Sequence, residues 1–394
     1  MDLNPMKFNL SCVVYLTCMA SLFAQTRYDI NLISEGRLRE CIVVKPSTSP
    51  PIGGYPIVFM LHGTNQDGEI FYDISGWKEL GEQENFITVF PTSLRWCYMD
   101  DGVETNGLRW VNGQVTDNPC SGTPQNYISD VHFLKLLAKK IADTFPVNSA
   151  MIFASGFSNG SGMIHKLAIE AGDVFAACAG SGSFLPVGDS ARPIHRIPVW
   201  AMMGTRDDKS IRPPFTEIPF GDDSVLVYFN RPLQRMIDCQ GVTQNFTKFE
   251  TAITHTYDFK ENISGDTGQL YRFTLVKDMF HVYPNGMNFR LEAAKLFWEF
   301  FKNSVTVHTK QTRNISNKIL ALPNPSNDLI EISIPEHHET FPWRVFDAYG
   351  RLRLTGHQTQ GQVIQCRKSD LGVGLYIFQA SIKDRAISQK IIFQ

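Results

Sequence analysis

Three residues far apart in the chain form the set needed for acyl transfer: Ser158 inside Gly156-Phe157-Ser158-Asn159-Gly160, Asp207 at the end of Gly204-Thr205-Arg206-Asp207, and His281 opening His281-Val282-Tyr283-Pro284-Asn285-Gly286. A serine hydroxyl is a weak nucleophile until an imidazole takes its proton, and an imidazole needs a carboxylate to hold the useful tautomer. A bare G-x-S-x-G also arises as an ordinary Gly/Ser turn. Here it closes the apolar run Ile152-Phe153-Ala154 and leads into a helical pattern over 161–171, which is the strand–turn–helix setting a nucleophile elbow requires. Asp208 competes with Asp207 for the acid role, and His132, His165, His195 and His255 compete with His281, but these histidines lack a comparable loop and read as surface or packing residues.

Each reactive residue follows an apolar strand, so the elements behind them come next. Continuous apolar runs at 42–44, 57–61, 86–90, 150–154 and 199–203 predict strands buried on both faces, and between them the spacing of Val131, Leu134, Leu137, Ala138 and Ile141 predicts a helix over 130–145. Alternating strands and helices predict an α/β fold with a doubly wound, mostly parallel sheet, whose reactive groups gather beyond the carboxyl ends of the strands. The order Ser, Asp, His is that of α/β-hydrolases. Leu61-His62-Gly63-Thr64 closes another apolar strand, so the N–H groups of Thr64 and Asn159 are the expected oxyanion hole. A last helix is expected over 287–301, with Leu291, Ala294, Phe297 and Phe301 on one stripe.

These motifs resemble the poly(3-hydroxybutyrate) depolymerase and feruloyl esterase group of carbohydrate esterase family 1 over roughly 37–301. Members of that group carry Trp where this chain has Tyr283 and a second Gly where it has Ser161, so the resemblance implies the same triad with an altered outer pocket. Asp130-Val131 also matches the group and reads as structural. The implied activity is hydrolysis of carboxylic esters, feruloyl or acetyl groups on plant polysaccharide first and a polyhydroxybutyrate polyester second. A peptidase or a catalytically dead surface-binding protein on the same scaffold ranks lower. Trp96, Trp110 and Tyr283 are the expected substrate-stacking rings. The chemistry calls for no metal or cofactor, and the His337-His338-Glu339 run reads as a solvated turn rather than a metal site.

The ends of the chain have a different character. Lys7 followed by a broken apolar run from Phe8 to Phe23, ending at Ala24, has the layout of a secretory signal peptide over 1–24. No later stretch approaches the roughly 20 apolar residues a bilayer span needs, so no integral membrane segment is expected in the mature chain. Eight cysteines leave six after position 24, and in an exported chain the expected bridge joins Cys97 to Cys120, which flank a Gly- and Asn-rich loop; the other pairings stay open. With a net charge of −2, nucleic acid is not an expected partner, and the sequons at Asn245 and Asn262 are incidental.

With 394 residues, two folded units are expected: a hydrolase domain over 25–304, a polar linker over 305–318 and a small antiparallel β-sandwich over 319–394. Leu322-Pro323-Asn324-Pro325, Val345-Phe346-Asp347-Ala348-Tyr349-Gly350, Gly374-Leu375-Tyr376 and Lys390-Ile391-Ile392 make that tail similar to the C-terminal sorting domain of the type IX secretion system. The similarity implies the machinery of a Bacteroidetes-type exporter as partner, and release to the cell surface or the medium. A carbohydrate-binding sandwich is the rival, with Trp343 and Tyr349 as its only candidate platform.

Overall fold

The computed structural model describes residues 25–394 apart from 101, 114–115, 117, 123–124, 187–190, 194, 212–216, 222, 224, 265–267, 315–319, 334–339, 359–362 and 383–384. The expected signal segment 1–24 and the His337-His338-Glu339 run lie outside the described residues. The chain divides into two compact units, 1–304 and 305–394.

The strands of the first unit are β1 (Thr26–Ser34), β2 (Arg37–Lys45), β3 (Tyr55–Leu61), β4 (Ile87–Pro91), β5 (Arg95–Asp100), β6 (Val103–Leu108), β7 (Val147–Phe157), β8 (Ala177–Ser181), β9 (Val199–Gly204), β10 (Phe246–Glu250), β11 (Thr254–Phe259) and β12 (Tyr271–Val276). Among the described residues its helices are α1 (Gly68–Ile74), α2 (Trp77–Glu84), α3 (Asp130–Thr144), α4 (Asn159–Glu170), α5 (Val225–Tyr228), α6 (Asn230–Gln240) and α7 (Ala293–Asn314), the last running past the unit's end at 304. Ten strands form one sheet in the order β1-β2-β4-β3-β7-β8-β9-β12-β11-β10, and β5-β6 form a separate hairpin. The six central strands from β4 to β12 run parallel, with antiparallel additions at both edges.

Both faces of the sheet are covered, which is why its central strands read as unbroken apolar runs. Ile57, Phe59, Leu61, Ile152 and Ala154 pack with Val131, Leu134 and Leu137 of α3 and Ile164 and Leu167 of α4 in one core. On the other face Phe153 stacks on Phe301 of α7 with ring centroids 4.7 Å apart, and Trp200 meets Phe297 at 5.2 Å. Helix α3 spans the expected stretch, capped by Ser129, whose hydroxyl accepts the His132 N–H. Helix α7 departs from expectation. It begins at Ala293, leaving Leu291 outside, and continues to Asn314 in place of an irregular linker; once turns anchored by Ala294, Phe297 and Phe301 are packed, propagation needs no further apolar period.

A buried ion pair ties β2 to α3. Arg39 Nη2 donates to Asp130 Oδ1 at 2.6 Å, and the guanidinium lies 3.8 Å from the Phe133 ring centroid. Burial raises the pKa of the Asp130 carboxyl, against the opposing pull of Arg39 and of the Val111 N–H. Removing one partner strands the other charge in the interior, so Asp130→Ala is expected to cost about 3–5 kcal/mol of stability, measurable by urea unfolding.

In the second unit, β13 (Leu320–Leu322), β14 (Leu329–Ser333) and β17 (Ile364–Arg367) form one antiparallel sheet. β15 (Phe341–Asp347), β16 (Leu352–Gln358), β18 (Gly374–Ile382) and β19 (Arg385–Phe393) form another, and α8 (Lys368–Leu371) follows β17. Ile330, Ile332 and Ile364 of the first sheet share a core with Val345, Phe378 and Ile391 of the second, so the unit is a small sandwich. Trp343 stacks on Phe378 at 5.9 Å, whereas Tyr349 is exposed on the turn at Gly350.

Candidate active site

Ser158 stands between the end of β7 and the start of α4 with φ 52° and ψ −122°, a conformation that costs a non-glycine residue about 1–3 kcal/mol. Its neighbours explain the glycines. A Cβ on Gly156 would meet the Gly160 carbonyl oxygen at 2.4 Å, and one on Gly160 would meet the Leu61 carbonyl oxygen at 2.3 Å. The elbow is thus pressed directly against the turn that ends β3. The Ser158 N–H donates to Ser181 O at 2.8 Å, which pins the strained turn to the end of β8.

Asp207 follows β9 and His281 follows β12, neighbouring strands in the sheet. His281 Nε2 lies 2.8 Å from Ser158 Oγ, and its Nδ1 lies 2.9 Å from both Asp207 oxygens. Asp207 is buried, and its Oδ1 also accepts the N–H groups of Lys209 at 3.1 Å and Ser210 at 2.9 Å, so the carboxylate is fixed from two sides. Asp208 is exposed. His165 is buried with Nδ1 2.7 Å from Ser161 O, His255 stacks on Phe220, and His132 and His195 are exposed. The structure therefore brings Ser158, His281 and Asp207 together and leaves the competing residues elsewhere. The relay can move a proton from Oγ to Nε2 while Asp207 holds the Nδ1–H.

Thr64 and Asn159 line a cleft of about 490 Å³ together with Ser158, Phe157, Gly182 and His281. Its remaining lining is Gln66, Asp100, Arg109, Ser183, Lys209 and Ser210. Lys209 and Ser210 adjoin the acid in sequence and were open to detection there; Asp100 and Arg109 come from the β5-β6 hairpin and carry no local signal. The expected stacking rings need correction, because Trp96, Trp110 and Tyr283 are all buried and none lines the cleft. Trp96 packs on Tyr127, and Tyr283 packs on Phe71 and Phe157. Trp110 sits beside His62 and donates its Nε1–H to His62 O at 2.9 Å. A large ring with one N–H is satisfied by an internal carbonyl, which removes it from the surface.

His62 is buried in the turn that follows β3. Its Nε2 accepts the Ser93 N–H at 3.0 Å, so Nδ1 carries the proton and donates to Gly63 O at 2.7 Å. Burial pushes the pKa of His62 down to about 4, and does the same for His165. An unfolded chain protonates these rings below about 6.5, whereas the fold keeps them neutral to about 4. Protons therefore favour the unfolded chain in that window, and stability falls as pH falls from about 6.5 toward 4. Thermal unfolding followed across those pH values is expected to show this decline, reduced in a His165→Asn variant.

Cys97 and Cys120 are joined in a disulfide that closes a loop around the β5-β6 hairpin, while Cys41, Cys178, Cys239 and Cys366 are buried. Residues 321–394 match the secretion system C-terminal sorting domain. The remainder of the chain is the α/β unit built on the ten-stranded, centrally parallel sheet. Over 178 residues the chain is 25% identical to a bifunctional acetylxylan esterase/xylanase of Neocallimastix patriciarum, a match covering 44% of this chain and 22% of that protein. The chain thus spans about a fifth of the length of that curated relative. Among solved structures, an acetyl xylan esterase from Aspergillus awamori aligns over 66% of this chain and 95% of its own, at 14% identity and a TM-score of 0.45. An S-formylglutathione hydrolase from Agrobacterium tumefaciens aligns over 72% and 96%, at 13% identity and a TM-score of 0.45. A feruloyl esterase module from Clostridium thermocellum aligns over 69% and 87%, at 12% identity and a TM-score of 0.41. Among the described residues no helix is long and apolar enough to cross a membrane.

Proposed function

We propose that the chain is an exported serine esterase that removes acyl groups, acetyl or feruloyl, from a polysaccharide, with 25–304 as the hydrolase domain and 319–394 as the sorting domain. The observation that carries this reading is the continuous relay from Asp207 through His281 to Ser158, 2.9 and 2.8 Å long, opening onto a cleft beyond the sheet's carboxyl edge. Ser158 Oγ attacks the ester carbonyl carbon as its proton passes to His281 Nε2, and the N–H groups of Thr64 and Asn159 receive the developing oxyanion. Collapse of the tetrahedral intermediate breaks the bond to the alcohol oxygen, which leaves with the proton from Nε2. Water, deprotonated by the same nitrogen, then releases the acid from the acyl-serine.

The lining of the cleft supports a hydroxylated alcohol over a hydrophobic polyester. Gln66, Asp100, Arg109, Ser183, Lys209 and Ser210 offer hydrogen-bonding groups, and Phe157 is the one large apolar side chain among the lining residues. The curated relative is named for acetylxylan, which favours the same direction. Methyl ferulate, an acetylated xylan and a 3-hydroxybutyrate oligomer, offered to the full chain and to Ser158→Ala, test the reading. Release of acetate or ferulate that vanishes in the variant supports it. Cleavage of the oligomer alone would replace it with the polyester alternative.

The sorting domain supports delivery by a type IX exporter to the cell surface or the medium. In a host carrying that machinery, the full chain is expected outside the outer membrane, and in the periplasm once the exporter is deleted.

A further inference from the structure

The loop closed by Cys97 and Cys120 touches both arms of the oxyanion hole. Its Leu108 carbonyl accepts the N–H of Asn65, the residue after Thr64, at 2.9 Å, and Trp110 Nε1–H donates to His62 O at 2.9 Å. On the elbow side, the Trp110 backbone N–H donates to Asn159 Oδ1 at 2.7 Å, and Asn112 Nδ2 donates to Asn159 O at 3.0 Å. The segment is itself anchored: Val111 N–H donates to Asp130 Oδ2 at 2.7 Å, and Asp130 is held by buried Arg39. Two donors contributed by different strands, one after β3 and one after β7, are thus tied to a single short strap, 108–112, inside a covalently closed loop.

From this we infer that the 97–120 loop is a brace for the oxyanion hole, with Trp110 and Asn112 as its positioning residues. The inference rests on the esterase reading. Oxyanion donors act only when aimed at the place where charge develops, and a displacement of about 1 Å is costly to turnover. The disulfide limits how far the strap can move without itself meeting substrate. Buried Trp110 therefore acts through its two N–H groups rather than by stacking on a sugar.

The signature of a brace is a loss confined to the transition state. Trp110→Phe keeps an aromatic ring but deletes the donor to His62 O, and Asn112→Ala deletes the donor to Asn159 O. Each is expected to lower kcat on p-nitrophenyl acetate by about 10-fold or more with KM within about twofold. The pH profile of kcat/KM should not move, because Asp207 and His281 are untouched. Reducing the wild-type disulfide with a phosphine, or replacing both Cys97 and Cys120 with serine, should give the same pattern. If Asn112→Ala does not fold, Trp110→Phe and the reduced protein decide. Unchanged kcat in those two overturns the brace, as does a loss that disappears when the assay is cooled well below each variant's melting temperature. Wild-type turnover and its loss in Ser158→Ala, measured alongside, separate failure of the esterase reading from failure of the brace.

Discussion

Ser158→Ala is expected to lower kcat on any accepted ester by roughly 10⁴-fold or more, leaving a small residue of catalysis from binding and the oxyanion donors. The size follows from the geometry: among the described residues, Ser158 Oγ is the group hydrogen-bonded to His281 Nε2, so no second nucleophile stands at the relay. Alanine also suits the site sterically, because the strained φ of 52° is held by Gly156 and Gly160 and by the N–H bond to Ser181 rather than by the hydroxyl. Folding should survive, and a melting temperature within a few degrees of wild type is the check that separates lost chemistry from lost structure.

Asp207→Asn should cost about 10⁴-fold in kcat with little change in fold. Both carboxylate oxygens lie 2.9 Å from His281 Nδ1, and Oδ1 also accepts from Lys209 and Ser210. An amide placed there turns its NH₂ toward donors. With its oxygen kept on the Lys209 and Ser210 N–H groups, the amide sets its NH₂ 2.9 Å from Nδ1, which favours the tautomer with the proton on Nε2 and leaves no acceptor for the Ser158 hydroxyl. Asp208→Asn, on an exposed side chain one position along, should stay within about twofold. Steady-state kinetics on the two variants side by side assign the acid.

What could be read from the chain and what could not divide by distance along it. The elbow at 156–160 and the turn at Asp207 sit just after apolar runs, so local pattern singled them out as candidates, whereas His281 was singled out by its own loop, because Arg272 and Thr274 break the run of β12 before it; α3 showed in the period of Val131, Leu134, Leu137, Ala138 and Ile141. The β5-β6 hairpin was not legible, because Gly107 and Asn106 interrupt any alternation and the two strands form a small sheet of their own. Trp110 was misread for the same reason. Its carbonyl partner at His62 is 48 residues away, and no local feature separates a buried indole with an internal acceptor from an exposed platform. The Arg39–Asp130 pair spans 91 residues and is equally silent in sequence. The polar stretch after 304 lacked an apolar period, yet α7 runs on to Asn314, since a packed first half supplies the nucleus that the second half cannot.

The most direct test of the proposed relay is where a serine-phosphonylating probe lands. The full chain treated with a fluorophosphonate, digested and analysed by mass spectrometry, should carry one adduct, on the peptide containing Ser158, and should lose it in His281→Ala. An adduct on another residue, or labelling of Ser158 that persists undiminished without His281, would contradict the proposed relay.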